Sequence, residues 1–305
     1  MKRVLVLMST YNGEKYLTEQ IDSILQQEGV KVCLLVRDDG SHDSTFKMLE
    51  EYSLQHDNIK CVKGENVGFV HSFSKLVCMA ANTDDFDCYA FADQDDIWYP
   101  NKLVTAVKAL LLDDSKPMLF ASNCMLVDSQ GNDIRLLRNT ALHYRKGNSL
   151  YSGSVQGCSM VFNKSAMLLY AKHIPTITYH DTWMLYICAL LGKVVYAVTP
   201  LFAYRIHSNN ALGLGHQQHK GIFKKIKDHI KGSHTSVFYN SALEFKDKFR
   251  NELDEDNLDV VNNFLNYKKN FSSKIKLLYD SEYGSLYDTL KARLSFYKNV
   301  IFNNL

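Results

Sequence analysis

Val4 to Met8 is an unbroken apolar run, the pattern of a strand buried on both faces, and it gives way to the polar stretch Ser9-Thr10-Tyr11-Asn12-Gly13. Tyr16, Ile21, Ile24 and Leu25 then recur at helical spacing, which predicts an amphipathic helix over about residues 15–27 with Gly29 near its stop. The alternation repeats. A strand over Val32 to Val36 ends in Asp38-Asp39-Gly40-Ser41, Asp43 or Ser44 caps a helix to about Gln55, a strand follows near Ile59 to Val62, and a helix spans about Phe69 to Ala81. Cys88 to Phe91 reads as the next strand, followed by Ala92-Asp93-Gln94-Asp95-Asp96. Strands alternating with helices imply an α/β fold with right-handed crossovers, a mostly parallel central sheet flanked by helices, and ligands bound beyond the carboxyl ends of the strands. The three polar loops should therefore line one crevice.

After Asp96, Pro100 suits a first helical turn that Leu103, Val107, Leu110 and Leu111 continue. Later strands fit Met118 to Val127 and Val155 to Phe162, with Ser129 to Asn132 as a turn between extended segments. A helix is expected near Asp181 to Leu191, then an extended run from Val194 to Ile206. From His216 to Gly232, Ile222, Phe223, Ile226 and Ile230 share one helical stripe with lysines opposite, and Ile275, Leu277, Leu278, Leu290, Leu294 and Phe296 repeat the theme. Such a stretch suits either an interfacial helix on an anionic membrane or a helix packed on the α/β part with a solvated basic face. The expected division is an α/β domain over 1–210 and a mainly helical region over 211–305, membrane-associating or acceptor-binding.

Composition narrows the classes. The 305 residues carry 35 basic and 33 acidic side chains, so no overall nucleic-acid-type charge exists. The balance is uneven, with 20 basic against 22 acidic residues in 1–210 and 15 against 11 beyond, which hints that the C-terminal part meets something anionic. Seven dispersed cysteines without a Cys-x-x-Cys pair read as reduced core residues. Neither a signal peptide nor an apolar segment near the roughly 20 residues of a membrane span is seen, so the expectation is a cytoplasmic protein, and the sequons at Asn163 and Asn270 are chance matches.

Three carboxylates within four positions, Asp93, Asp95 and Asp96, raise one another's pKa and are most readily kept together by a shared cation. Mg²⁺ or Mn²⁺, with its preference for oxygen ligands, is the natural candidate; a solvated acidic turn capping the next helix is the alternative. Asp181 reads either as an ordinary N-cap or as a general base facing the crevice. Arg205 and His207 stand just beyond a strand, although a lone histidine is more often structural than a ligand.

Five signals in order, Ser9-Thr10-Tyr11-Asn12, Asp38-Asp39-Gly40-Ser41, Asp93-Gln94-Asp95-Asp96, His180-Asp181 and Arg205-Ile206-His207, resemble family 2 glycosyltransferases of the GT-A fold over about residues 1–210. Phe-Ala-Asp-Gln-Asp-Asp-Ile-Trp, His-Asp-x-Trp and Tyr-Arg-x-His look most like bacterial rhamnosyltransferase-type enzymes of surface polysaccharide synthesis. The resemblance implies a nucleotide-sugar donor, dTDP-rhamnose or a UDP-hexose, and a glycan or lipid-linked glycan acceptor at the inner face of the cell membrane. By it, Thr10 and Tyr11 hold the nucleotide, Asp39 accepts from the base imide, Asp93 approaches the ribose and Arg205 contacts the diphosphate. Asp95 and His207 ligate Mn²⁺ or Mg²⁺, and Asp96 fixes the other two carboxylates by hydrogen bonding the loop. Asp181 is the base of an inverting displacement. His180 stands where relatives often carry an acidic residue, and could hydrogen-bond the sugar or tune Asp181. Trp183 either stacks on the acceptor or packs in the core.

Two other enzyme classes lack their phosphate loops, since Ser9 to Gly13 has one glycine and no P-loop occurs. A sugar-phosphate nucleotidyltransferase and a non-catalytic nucleotide-sugar module remain as rivals.

Overall fold

The computed structural model describes residues 1–83, 86–110, 115–152, 155–207 and 233–305, with backbone alone at 233–236. The first half follows the alternation: β1 (Lys2–Thr10), α1 (Leu17–Leu25), β2 (Val30–Asp38), α2 (Thr45–Gln55), β3 (Ile59–Lys63), α3 (Phe69–Ala81) and β4 (Cys88–Ala92). These four strands pair in parallel, β2 and β4 flanking β1 and β3 outside β2. Val4, Val6 and Met8 pack on one face with Ile21 and Ile24, while Leu5 and Leu7 pack on the other with Phe73 and Leu76. Burial on both faces explains the unbroken apolar runs.

The second half is mixed. β5 (Ile97–Trp98), α4 (Lys102–Leu110), β6 (Met118–Val127), β7 (Asp133–Leu136), α5 (Lys146–Ser152), β8 (Val161–Asn163), α6 (Lys164–Lys172), α7 (His180–Leu191) and β9 (Lys193–Arg205) follow. The sheet order is β3-β2-β1-β4-β8-β6-β9-β5, with β7 on β6. β8 enters antiparallel between β4 and β6, and β6 and β9 regain the direction of β1 to β4. Most strands therefore point one way, yet half of the pairings are antiparallel.

The expected strand over Val155 to Phe162 is shorter than that run. Gly157–Ser159 form a 3₁₀ turn, and only Val161–Asn163 are strand. The turn is closed locally, with the Ser159 hydroxyl and N–H both donating to the Gln156 carbonyl and Met160 N–H to Gly157 O. A Cβ at Gly157 would lie 2.4 Å from His180 Nε2, so only glycine lets the two segments meet. Asn163 and Asn270 both N-cap helices with their side chains, a structural use for the two sequons.

The C-terminal helices are α8 (Ser233–Lys248), α9 (Glu255–Asn266), α10 (Phe271–Tyr279) and α11 (Leu290–Ile301). Phe245, Phe249, Val261, Phe264, Leu277 and Phe296 continue the apolar cluster of the sheet face that holds Phe91, Trp183 and Tyr186. Leu277 and Phe296, two of the apolar residues singled out beyond Phe271, are thus core, whereas Leu290 and Leu294 are exposed. The basic stripe over 216–232 lies outside the described residues. Among those described, no helix is long and apolar enough to cross a membrane.

Candidate active site

The first two strand ends are held by carboxylates that accept from backbone and hydroxyl donors. Asp38 accepts from Thr10 Oγ1 at 3.0 Å, Ser41 N at 2.9 Å and Ser41 Oγ at 2.5 Å, which closes the turn where Gly40 has φ +80°. Thr10 is itself strand and buried, so its hydroxyl braces Asp38 and does not face the cleft. Asp39, also buried, accepts from the Arg37 guanidinium, from Val67 N at 3.0 Å and from Gly68 N at 2.9 Å. One lone pair of Asp39 Oδ2 remains for a further donor. Tyr11 stands at the rim, half exposed. Its N–H donates to Gln94 Oε1 at 2.8 Å and Gln94 Nε2 returns a bond to Tyr11 O at 3.0 Å, so the first and third loops are tied together.

Asp95 Oδ2 lies 2.8 Å from His207 Nε2, joining residues 112 apart in sequence. β5 makes this meeting possible, because Ile97 pairs with Ala203 and Trp98 with Phe202, setting the acidic loop beside the end of β9. Arg205 sits between them. Its backbone N–H reaches Asp96 Oδ1 at 3.4 Å, and its guanidinium donates to Asp95 O at 3.0 Å, Ser129 O at 3.3 Å and Glu19 Oε2 while stacking on Tyr16 at 4.6 Å. A buried guanidinium so occupied is a brace for the acidic loop, and this arrangement departs from the expected contact with a diphosphate.

Asp96 is 1% exposed and one of its oxygens has no hydrogen-bond partner among the described residues. Burial first, then the charges of Asp95 and Asp93, push its pKa well up. Asp93 is pushed up to about 7 by burial, by Asp95 and by Asp181. The last cause puts Asp181, more than 80 positions away, in the same site. Asp181 itself is pushed up to about 6 by burial, against the hydrogen bond from Thr182 N at 2.6 Å. It is the second residue of α7, and Tyr179 holds the N-cap position.

The pattern did not point to Lys102. It falls on the buried stripe of α4 with Ala106 and Leu110, fully enclosed, its ammonium donating to Cys158 O at 2.5 Å over the Trp98 ring at 3.5 Å. Burial lowers its pKa to about 7 while Asp96 and Asp93 oppose that. A lysine on an apolar stripe six residues after an acidic triplet was the available signal of a buried counter-ion.

His180 and Trp183 turn inward. The His180 ring stacks on Phe73 at 4.0 Å and meets Phe91 edge-on at 5.0 Å, and neither ring nitrogen has a partner among the described residues. Burial lowers its pKa to about 3, so it is neutral. Trp183 is fully buried against Phe245 and Phe249, with Nε1 donating to His173 O at 2.7 Å, which excludes stacking on an acceptor.

Two donor sets for a divalent cation exist among the described residues. Asp93, Asp96 and Cys158 offer ligand atoms within 4.8 Å of one another. Burial pushes the Cys158 thiol far up, and a neutral thiol is a poor ligand for a hard ion. The Asp95 and His207 pair fits better. Adjacent ligands of an octahedral ion with bonds of roughly 2.1 Å are about 3 Å apart, and the pair opens on a cleft of about 630 Å³ lined also by Tyr11, Tyr16, Gln94 and Ser129.

Residues 5–167 match the family model described as glycosyl transferase family 2. The chain is 28% identical over 218 residues to the dTDP-rhamnosyl transferase RfbG of Shigella flexneri, covering 68% of this chain and 73% of the relative. It is 26% identical over 238 residues to an uncharacterized glycosyltransferase of Haemophilus influenzae, covering 73% and 72%. In fold it resembles S. aureus TarS 1–349 solved with UDP-GlcNAc, with TM-score 0.59, 15% identity, and coverage of 100% of this chain and 80% of that one. It also resembles the mannosyltransferase PcManGT of Pyrobaculum calidifontis solved with GDP-Man and Mn²⁺, with TM-score 0.52, 14% identity, and coverage of 99% and 87%. With the family model matching more than half of its length, the chain belongs to glycosyl transferase family 2 and is a glycosyltransferase with the GT-A architecture.

Proposed function

We propose that this protein transfers a hexose, rhamnose from dTDP-rhamnose or a hexose from its UDP derivative, to a hydroxyl of a glycan acceptor, with inversion at the anomeric carbon. The observation that carries the reading is the meeting of Asp95 and His207 on the cleft, with the half-buried Asp93 of the same loop within the field of Asp181. Family membership sets aside the nucleotidyltransferase and the non-catalytic module. The relative named as a dTDP-rhamnosyl transferase supports the sugar, and the neighbour solved with UDP-GlcNAc supports a UDP donor as the alternative.

Tyr11, exposed at the rim, flanks the nucleotide, and Asp39 presents its remaining lone pair to the base imide, with Thr10 bracing the turn between them. Asp93 approaches the ribose. Asp95 and His207 would hold Mn²⁺ or Mg²⁺, which supplies charge neutralisation at the diphosphate; the PcManGT complex with Mn²⁺ supports this choice of ion. Asp181 accepts the proton of the acceptor hydroxyl as its oxygen bonds to the anomeric carbon and the nucleoside diphosphate departs with the electron pair of the broken bond. A carboxyl raised to about 6 is a better base than an ordinary aspartate and is still largely ionised at neutral pH.

The acceptor is proposed to be lipid-linked, within bacterial surface polysaccharide synthesis, with the enzyme resting on the inner membrane face. Leu290, Leu294, Ile301 and Phe302, exposed beside Lys291 and Lys298, support such contact. Screening dTDP-rhamnose and UDP-hexoses for cation-dependent thermal stabilisation tests the donor, since a ligand at 100 times its Kd adds about 2.7 kcal/mol. Asp95→Ala should abolish the effect. Stabilisation by none of these donors would refute the reading, and full-length protein ignoring anionic liposomes at low salt would remove the membrane contact.

A further inference from the structure

The cation expected at the diphosphate, Arg205, is occupied by Asp95 O, Ser129 O and Glu19, and Lys102 is enclosed between Cys158 O and the Trp98 ring. Neither lines the cleft on which Asp95 and His207 meet, whereas Lys15 does. Lys15 is exposed, in the loop between β1 and α1, and its ammonium lies 4.8 Å from the centre of the Tyr16 ring. The same ring meets the His207 imidazole at 4.9 Å and carries the Arg205 guanidinium at 4.6 Å. Tyr16 also lines the cleft, so one aromatic ring sets the ammonium of the first loop beside the imidazole that follows β9.

The carboxylates of this neighbourhood are committed elsewhere. Glu14 accepts from Ser44 N at 2.8 Å, Asp43 from Glu14 N at 3.2 Å and Thr45 N at 3.0 Å, and Glu19 from Arg205. Asp128, which also lines the cleft, closes its own turn by accepting from Gln130 N and Asn132 N, both at 2.9 Å. Lys15 has no salt-bridge partner among the described residues. The loop that carries it is held in place: Asn12 N donates to Ser41 Oγ at 2.9 Å, Gly13 N donates to Thr45 Oγ1 at 2.8 Å, and Gly13 O accepts from Tyr16 N at 3.1 Å and Leu17 N at 3.2 Å. An ammonium without a counter-ion, on a fixed loop at a cleft, is placed in advance for an anion. Charge says which anion. A divalent ion held by one carboxylate and a neutral imidazole keeps one net positive charge, whereas the diphosphate of a nucleotide sugar carries two negative ones, and the Lys15 ammonium closes that gap.

Resting on the reading of this cleft as the donor site, we propose that Lys15, and not Arg205, binds the diphosphate of the nucleotide sugar, its ammonium donating to a phosphate oxygen. When the bond between the anomeric carbon and the diphosphate oxygen breaks, the electron pair stays on that oxygen and the diphosphate gains a negative charge, so the contact strengthens as transfer proceeds. The probes are uridine, thymidine, UDP and dTDP, titrated by NMR into the full chain with Mg²⁺. In the wild type at least one diphosphate should bind more tightly than its nucleoside. Lys15→Gln should weaken that diphosphate about ten-fold, the equivalent of one charge-assisted hydrogen bond, with the affinity of the nucleoside and the Tm unchanged. Transfer by this variant at saturating donor should slow as well, and Lys15→Arg should recover most of both losses. Lys47→Gln, which removes another exposed lysine from α2, should change none of them. The proposal is overturned if Lys15→Gln keeps the diphosphate affinity and kcat of the wild type, if it weakens nucleoside and diphosphate equally, or if Lys47→Gln gives the same loss. A wild type that binds neither diphosphate would instead strike the proposed function.

Discussion

The two sides, or walls, of the candidate site are built differently. On the wall of β1, β2 and β4, the loops are fixed by one another and by residues of the sheet strands: Asp38 on Ser41 and Thr10, Asp39 on Val67, Gly68 and Arg37, Gln94 on Tyr11, and Asp95 on Arg205 of β9. On the opposite wall, the loop that delivers Asp181 is held from α8. Glu244 accepts from Thr176 N, Ile177 N at 3.3 Å, Thr178 N at 3.1 Å and Thr178 Oγ1 at 2.7 Å, and Trp183 is locked by Phe245 and Phe249. The first wall is assembled from the sheet itself, whereas the second depends on helices beyond residue 232. A change in the C-terminal helices should therefore reach the proposed base before it reaches the nucleotide.

The largest expected effect isolates the chemistry of the second wall. Asp181→Asn should lower transfer about 10²- to 10⁴-fold, the usual contribution of one positioned base, while donor-dependent stabilisation persists. In the wild type the acidic limb of kcat should fall with an apparent pKa near 6, because protonation below that value removes the acceptor for the proton. Radiolabelled sugar transfer between pH 5 and 8 measures both. Near-wild-type transfer by the variant would end the assignment.

Next in size is a test of what lies beneath the first wall. Lys102→Met keeps the bulk of the side chain but leaves the buried Cys158 carbonyl without its donor and removes the positive charge that Asp93 and Asp96 feel, and an unsatisfied buried acceptor costs about 1–3 kcal/mol. Urea denaturation should show that loss. A variant as stable as the wild type would mean that the carboxylates are protonated in the fold and need no partner.

How far the sequence revealed each wall follows from the same contrast. β1 to β4 were readable because strands buried on both faces write continuous apolar runs, and their loops announce themselves as polar breaks. Asp93, Asp95, Asp181 and His207 were picked out by residue type and by the family resemblance, and the structure brings Asp95 onto His207 and sets Asp93 within the field of Asp181. Arg205 and Thr10 were assigned to the ligand, yet they brace protein groups, because a motif fixes a residue's address without fixing which way its side chain is occupied. Trp183, Glu244 and Lys102 depend on partners 10, more than 60 and 56 positions away, so no local pattern could name those partners. The short strand β8 was over-read from its apolar composition, since Gly157 and Ser159 close a turn inside it.

Glu244→Ala sharpens the comparison further. It leaves the backbone donors of Thr176 to Thr178 without their acceptor, a loss of about 1–3 kcal/mol, and loosens the approach to Asp181. Transfer should fall at least several-fold through kcat, whereas donor-dependent stabilisation, which reports the first wall, should be unchanged. Equal losses in both would show that the two walls are coupled.

The smallest effect concerns the stability of the proposed base. The folded pKa of Asp181 lies above its ordinary value of 3.8, near 6, so the fold prefers the neutral carboxyl. Its contribution is fully favourable below about pH 4 and is lost as pH rises through 6, where ionisation in a buried site opposes folding. Asparagine cannot ionise. Asp181→Asn should consequently be more stable than the wild type at pH 7, by on the order of 1–2 kcal/mol after allowing for partial exposure to water, and the gain should shrink toward zero near pH 4. Thermal melts of both proteins from pH 4 to 8, without added cation, measure it. A gain that does not vary with pH would trace to packing, and a loss at pH 7 would mean that the Thr182 hydrogen bond outweighs burial, leaving Asp181 an ordinary aspartate on a wall whose geometry, and not its dielectric, makes the base.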